Sequence, residues 1–387
     1  MRVLQLGKYY PPSRGGIETH VHTLAHALVE LGAEVEALVV NHANLEGDVV
    51  WRAAARTRTR EEQDAGVRVL RAGRVANLAR LDLCPRLPLL ISRLAARADV
   101  VHLHVPNPTM GLALAGLPRL AAPLVITHHS DVLRQRLLRH ALRPLDELLY
   151  ARAARLLATS PPYAESSPQL ARRRAKVSVL PLGIDLTPFR APSPAALEEA
   201  ARLRERYPGP LWLMVGRLVY YKGHRVALRA LRALPGTLLV VGTGPLAGAL
   251  WDEARALGVE ERTAFLGEVE AAVLEGAYQA ATALLFPGTE RTEAFGLAQV
   301  EAMAAGRPVL NAALAGSGVP WVCPHEEAGL SAPPGDDAAL AAGARRLLEE
   351  EGLAARLGAG GRARAEALFS REQMARAALE LYREVAP

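Results

Sequence analysis

Two glutamates, Glu293 and Glu301, are separated by seven residues in Thr292-Glu-Ala-Phe-Gly-Leu-Ala-Gln-Val-Glu-Ala-Met-Ala-Ala-Gly306. A helix beginning near Gly296 puts Glu301 five residues in, on the order of 8 Å along the axis at the α-helical rise. The free N–H groups and positive dipole end of such a helix suit a diphosphate resting on the amides around Leu297 and Ala298. One carboxylate is then placed to hold ribose hydroxyls and the other a transferred hexose. The plainer reading is an acidic first turn that only stabilises its helix.

A second candidate is Leu211-Trp-Leu-Met-Val-Gly-Arg-Leu-Val-Tyr-Tyr-Lys-Gly223, a predicted strand followed by Arg217 and Lys222. A sugar leaving a diphosphate places negative charge on the departing oxygen, which a metal or a pair of cations must stabilise. The chain contains no Asp-x-Asp pair, so the cations are the better candidates. The competing reading is an Arg and a Lys on a solvated loop, yet both are standard phosphate ligands. A third element, Pro11-Pro-Ser-Arg-Gly-Gly-Ile-Glu18, follows the first strand. Its paired glycines, Gly15 and Gly16, let backbone donors approach an anionic oxygen closely, although such pairs are common in loops.

The elements needed to position these residues follow a βαβ rhythm. Short apolar runs at Arg2–Leu6, Glu34–Val40, Asp99–Val105 and Leu124–Thr127 alternate with amphipathic stretches, the first after Gly16. The rhythm restarts at Leu211–Val215 and continues through Thr237–Val241, Thr263–Leu266, Ala283–Phe286 and Pro308–Leu310. This predicts an α/β chain with two Rossmann-like domains built on parallel sheets. The Gly and Pro punctuation of 182–194 places the boundary near residue 190, giving domains of 1–190 and 191–369. The last stretch, 370–387, is helical in pattern. Ligands of open α/β sheets bind beyond the carboxyl ends of the strands, so the expected site is a cleft between the domains.

Composition narrows the function. At 387 residues the chain exceeds the usual single core, and its 50% hydrophobic content excludes disorder. The opening residues lack the build of a signal peptide, and the apolar stretch 108–127 is interrupted by Pro118, Arg119 and Pro123, so no membrane span is expected. Cys84 and Cys323 are the only cysteines, too few for a disulfide framework or a cysteine zinc site, which suits a reducing cytoplasm. The net charge of +6 suits an anionic partner, but aromatics make up only 5% and arginines are spread along helices, so nucleic acid is not expected.

In this order the three elements resemble glycosyltransferase family 4, and the likeness runs through almost the whole chain. The resemblance implies a GT-B fold, two Rossmann-like domains facing across a cleft with the C-terminal helix crossing back to the N-domain. It also implies an N-terminal acceptor domain, a C-terminal nucleotide-sugar domain, retention of anomeric configuration and no metal. By the family pattern Glu293 lies near the donor hexose and Glu301 on the ribose. Phe295, Gly296, Leu297 and Ala298 bring backbone to sugar and phosphates. Arg217 and Lys222 are the diphosphate pair, Gly16 closes over the phosphates beside Gly15, and Val269 lies beside the nucleobase. The family also carries a histidine after an N-domain strand. In Ile126-Thr-His-His-Ser-Asp131 the register matches His129, as an orienting or electrostatic residue, with His128 the neighbour that an alignment confuses with it; the plainer reading of either is a satisfied polar group at a strand end.

Other features of the sequence compete with this reading. His22 and His26 at helical i, i+4 spacing and His102 and His104 on one strand face invite a metal, but no HExxH or Cys pair accompanies them, so none is expected. An oxidoreductase is disfavoured because Gly242-Thr-Gly-Pro-Leu-Ala-Gly248 departs from G-x-G-x-x-G. A glycosidase has no need of a cationic diphosphate pocket. A protein that binds a nucleotide sugar without turning it over shares the same motifs and stays open. Arginines 134, 136, 139 and 143 among leucines form a basic amphipathic face that docks on a membrane or simply faces solvent or a partner. The expected partners are a nucleotide diphosphate sugar, of GDP-mannose or UDP-hexose type, and a glycan or lipid-linked acceptor. The expected location is cytoplasmic, with peripheral contact at the inner face of the membrane as a candidate.

Overall fold

The computed structural model describes the chain apart from residues 14, 43–56, 79–80, 132–135 and 387, and apart from the side chains of 78 and 136–142. Its contacts divide it into two units, Met1–Gly183 with Arg371–Pro387, and Ile184–Ser370. The division falls at Gly183/Ile184, ahead of the boundary near 190 read from the sequence. The short helix Thr187–Arg190 belongs to the second unit for a physical reason. Phe189 packs edge-on against Tyr278 at 5.3 Å, and its carbonyl accepts from Gln279 Nε2 at 2.7 Å.

Among the described residues of the first unit are ten strands: β1 (Arg2–Leu6), β2 (Glu34–Val40), β3 (Arg60–Asp64), β4 (Val67–Ala72), β5 (Ala76–Leu78), β6 (Leu81–Leu83), β7 (Val100–Val105), β8 (Leu124–His128), β9 (Arg155–Ala158) and β10 (Val177–Val179). Eight form one sheet in the order β10-β9-β8-β7-β1-β2-β4-β3, parallel except for β3, which runs antiparallel to β4; β5 and β6 pair separately. The period-2 alternation of side chains sorts the faces of this sheet. Leu4, Leu6, Val101, Leu103, Leu124 and Ile126 share one apolar core, while Val3, Val100 and Val125 face another. That second core is closed by the helix Gly16–Glu30, through Val21, Leu24, Ala25 and Leu28, and by the final helix Arg371–Val385, through Met374, Ala375, Ala378, Leu379 and Tyr382.

The second unit carries β11 (Leu211–Val215), β12 (Thr237–Val241), β13 (Thr263–Gly267), β14 (Ala283–Phe286), β15 (Val309–Ala312) and β16 (Gly329–Ala332). All pair in parallel in the order β13-β12-β11-β14-β15-β16. Counted within the unit this is 3-2-1-4-5-6, the Rossmann order, which reverses between its first and fourth strands. The switch point lies at the carboxyl ends of β11 and β14, whose loops carry the Arg217/Lys222 and Glu293 motifs. Among the described residues no helix is long and apolar enough to cross a membrane.

Candidate functional site

At the switch point of the second unit Lys222 ends the single turn Tyr220–Lys222 after β11, and Glu293 lies on the loop after β14. Their side chains meet, Lys222 Nζ to Glu293 Oε2, at 2.7 Å. Glu293 is 5% exposed. Burial pulls the Lys222 ammonium down, but the Glu293 carboxylate, Tyr221 and Glu301 together offset it and the group ends above its ordinary range, charged. The ammonium also stands 5.1 Å from the Phe286 ring centre. The two loops are laced together by Thr289 N–H, which donates to the Tyr221 carbonyl at 2.9 Å. On the far side the loop after β15 braces the glutamate: Ser317 Oγ donates to the Glu293 carbonyl, and Gly318 N–H to that of Ala294 at 2.9 Å. Arg217 differs from its expected partner cation. It is exposed, and its guanidinium makes no hydrogen bond or ion pair among the described residues, so it is a cation available to an incoming anion.

The helix predicted near Gly296 runs Leu297–Ala304, with Gly296 as its N-cap at φ +83° and no side chain capping its amides. A Cβ on Gly296 would stand 2.5 Å from Phe286 Cζ, so the left-handed turn and the ring beneath it both require glycine. Phe295 is buried against Phe369, and its carbonyl is taken by Gln299 Nε2 at 2.9 Å. Glu301 lies one turn further on and accepts from the Tyr278 hydroxyl. Burial raises the Glu301 carboxyl above its ordinary range, with the Tyr278 bond and the Lys222 charge pulling the other way. Val269 sits half-buried just beyond the edge strand β13. The sequence reading missed Tyr278, which carries no motif and meets Glu301 only through the packing of the Ala271–Ala280 helix.

In the first unit His128 and His129 point to different networks. His128 bonds Tyr150 through Nδ1 and Asp131 through Nε2 at 3.1 Å, and is a satisfied polar group. His129 Nε2 lies 3.2 Å from His104 Nδ1, and His104 Nε2 lies 2.6 Å from Gln5 Oε1. With Gln5 Nε2 donating to Tyr382 Oη at 3.3 Å, its carbonyl oxygen must accept from His104 Nε2–H. A neutral His104 then accepts at Nδ1 from His129 Nε2–H, which leaves His129 Nδ1 as the basic atom. Burial first, then the neighbouring imidazoles, hold both rings well below the ordinary histidine range, so both are neutral. His102 completes the network between Tyr382 Oη at 2.6 Å and Thr127 Oγ1 at 2.7 Å. His20, packed edge-on to His104 and His129, is buried with neither ring nitrogen partnered among the described residues.

Gly15 and Gly16 stand at the start of the Gly16–Glu30 helix, Gly15 in an extended conformation at φ 172°. A Cβ on Gly16 would meet nothing within 4 Å among the described residues, which place no demand for glycine at that position. Arg134 and the side chains of Arg136 and Arg139 in the basic amphipathic stretch lie outside the described residues; Arg143 is exposed.

Comparison with known proteins places this geometry in a family. Residues 14–188 match the family described as Glycosyltransferase Family 4, and residues 198–364 match Glycosyl transferases group 1. The D-rhamnosyltransferase WbpZ of Pseudomonas aeruginosa is 36% identical over 279 residues, 72% of this chain and 71% of that protein. The O-antigen chain mannosyltransferase C of Escherichia coli is 28% identical across 99% of this chain and 98% of its own. Among solved structures, Anabaena HepE in complex with UDP-glucose superposes with a TM-score of 0.78 at 20% identity, covering 99% of this chain and 100% of the other, a likeness of fold. That fold is GT-B.

Proposed function

Because this chain belongs to glycosyltransferase family 4 and is a retaining glycosyltransferase, we propose that it moves a hexose from a GDP-mannose or UDP-hexose type donor to a glycan or lipid-linked acceptor in polysaccharide or glycolipid synthesis, without a metal. The observation that carries this reading is the buried Lys222–Glu293 pair beside the uncapped amides of Leu297 and Ala298. Cation, carboxylate and helix start together suit a diphosphate joined to a sugar. The relatives support the sugar class: one is named for D-rhamnose transfer, the other for mannose transfer in the O-antigen chain. The HepE complex holds UDP-glucose, which keeps uridine and guanosine donors both in view.

In the proposed reaction the bond from the anomeric carbon to the diphosphate breaks, and the bond to the acceptor oxygen forms on the same face. Arg217, Lys222 and the helix amides take up the charge of the departing diphosphate, whose oxygen accepts the acceptor's proton. Glu293 holds the hexose, Glu301 the ribose, and Val269 flanks the base. Gly15 and Gly16 admit the phosphates close to the backbone, and His129 orients the reacting groups through Nδ1. Peripheral contact with the inner membrane face belongs to the same proposal, as does catalysis in the reducing cytoplasm, which suits the buried free thiols of Cys84 and Cys323.

The test is turnover and binding across UDP-glucose, GDP-mannose and UDP-N-acetylglucosamine, with and without EDTA. One preferred donor turned over equally well in EDTA is expected; dependence on added divalent metal would overturn the metal-free mechanism, and binding of none of them the donor class. A pH dependence follows from Glu301. Its carboxylate must be ionised to accept from ribose hydroxyls, and its carboxyl is raised by burial, so donor affinity falls as pH drops through a value above the ordinary glutamate range. Tyr278→Phe removes a donor that favours the charged form, which moves that loss to still higher pH. Donor KM measured from pH 8 to pH 5 in both proteins checks this, and superimposable profiles would refute it.

A further inference from the structure

The first unit contains a cluster that the transfer reaction leaves unused. His22 and His26 lie on one face of the Gly16–Glu30 helix, with ring centres 4.0 Å apart. Asp64 ends the edge strand β3 and turns Oδ2 toward both, 2.9 Å from His26 Nε2 and 3.3 Å from His22 Nε2. We propose that His22, His26 and Asp64 form a transition-metal site, taking Zn²⁺ or a divalent ion of similar chemistry, that clips this helix to the sheet edge.

The geometry is that of a ligand set. Atoms bound at about 2.0–2.1 Å around a tetrahedral centre stand about 3.3 Å from one another. The two nitrogen–oxygen separations are close to that span, and all three ligating atoms lie within 4.8 Å of one another. Two imidazoles and one carboxylate suit zinc, with water completing the shell from the half-buried side. Tyr10 supplies the outer support such sites carry: its hydroxyl donates to Asp64 Oδ2 at 2.9 Å, which fixes the carboxylate toward the histidines. A single ion pair with Asp64 requires only one histidine, and the second ring, drawn in beside the first, is what a metal uses.

The other histidine group, His20, His104 and His129, has ligating atoms equally close but is a poorer candidate. Both nitrogens of His104 are already engaged, by Gln5 and by His129, so a metal there would break two buried hydrogen bonds. At the outer cluster the partner that a metal displaces from His26 is itself a ligand. The sequence reading expected no metal at His22 and His26 because no HExxH or Cys pair accompanies them; the third ligand comes instead from β3, 38 residues beyond His26, a strand that the sequence pattern does not mark.

The test uses the full chain, stripped with EDTA and dialysed, then titrated with Zn²⁺ against a chromophoric zinc indicator, with thermal unfolding followed in parallel. One equivalent bound at micromolar or tighter affinity and a rise in Tm with added Zn²⁺ are expected. His22→Gln and His26→Gln should each weaken binding by about tenfold or more, and Asp64→Asn by a similar factor. All three side chains are partly solvent-accessible, so the variants keep the fold, which circular dichroism verifies. No stoichiometric binding, or wild-type affinity retained in the double histidine variant, would overturn the site. Because none of the three ligands is among the residues assigned to the donor, failure here leaves the donor panel unchanged, and failure of the donor panel leaves this site standing.

Discussion

Replacing Glu293 by glutamine is expected to lower kcat by about 10²–10³-fold, the range seen when a group aimed at transition-state charge is removed. The substitution keeps the shape of the side chain and its buried setting, and it removes the charge that Lys222 answers at 2.7 Å. Without that carboxylate the Lys222 ammonium loses its nearest stabilising charge while burial still pulls it downward, so the variant loses the hexose contact and weakens the leaving-group cation together. Glu301→Gln makes the contrast. Glu301 touches Tyr278, not the cation, and its proposed partner is a ribose that does not change during the reaction, so its loss should raise donor KM more than it lowers kcat. Steady-state kinetics on both variants, with folding verified by circular dichroism, separate the two roles. Near-normal turnover in the Glu293 variant would remove that residue from the mechanism.

The legible part of this protein was what lies along the chain. Strands β1 and β2 and the β11, β12 and β14 runs were read to the residue because apolar stretches between turn signals are a local property. The switch-point motifs were legible for the same reason, since each is a short stretch directly after a strand. What escaped depends on partners distant in sequence. Strand β3, Arg-Glu-Glu-Gln-Asp, is polar at every position and becomes a strand only by pairing with β4 at the sheet edge. β10 has three residues, and β16 reads Gly-Leu-Ser-Ala, too short and too weak to stand out. The buried polar layer of Gln5, His102, His104 and Thr127 was visible only as isolated polar residues in apolar runs. Its logic appears once the register sets Gln5 opposite His102 and His104 opposite Thr127, beneath Tyr382 from the far end of the chain.

Gly223→Ala is expected to cost about 3 kcal/mol or more and to abolish transfer through the fold rather than through the chemistry. Gly223 takes φ +78°, where an L side chain is already strained, and a Cβ there would stand 1.8 Å from the Pro287 carbonyl oxygen and 2.6 Å from its carbon. The obstacle is backbone and has no rotamer to yield. The loops after β11 and β14 would have to separate at the point where Thr289 bonds Tyr221, and Lys222, the neighbouring residue, would be drawn away from Glu293. Gly16→Ala serves as the counterpart because its added methyl meets nothing within 4 Å. Thermal denaturation should therefore register a large fall in Tm for Gly223→Ala and almost none for Gly16→Ala. If Gly16→Ala still raises donor KM at an unchanged Tm, the group that needs the space is the ligand, since no atom of the described first unit occupies it. If it changes neither, Gly16 has no part in donor binding, and closure of that loop over the phosphates drops out of the mechanism.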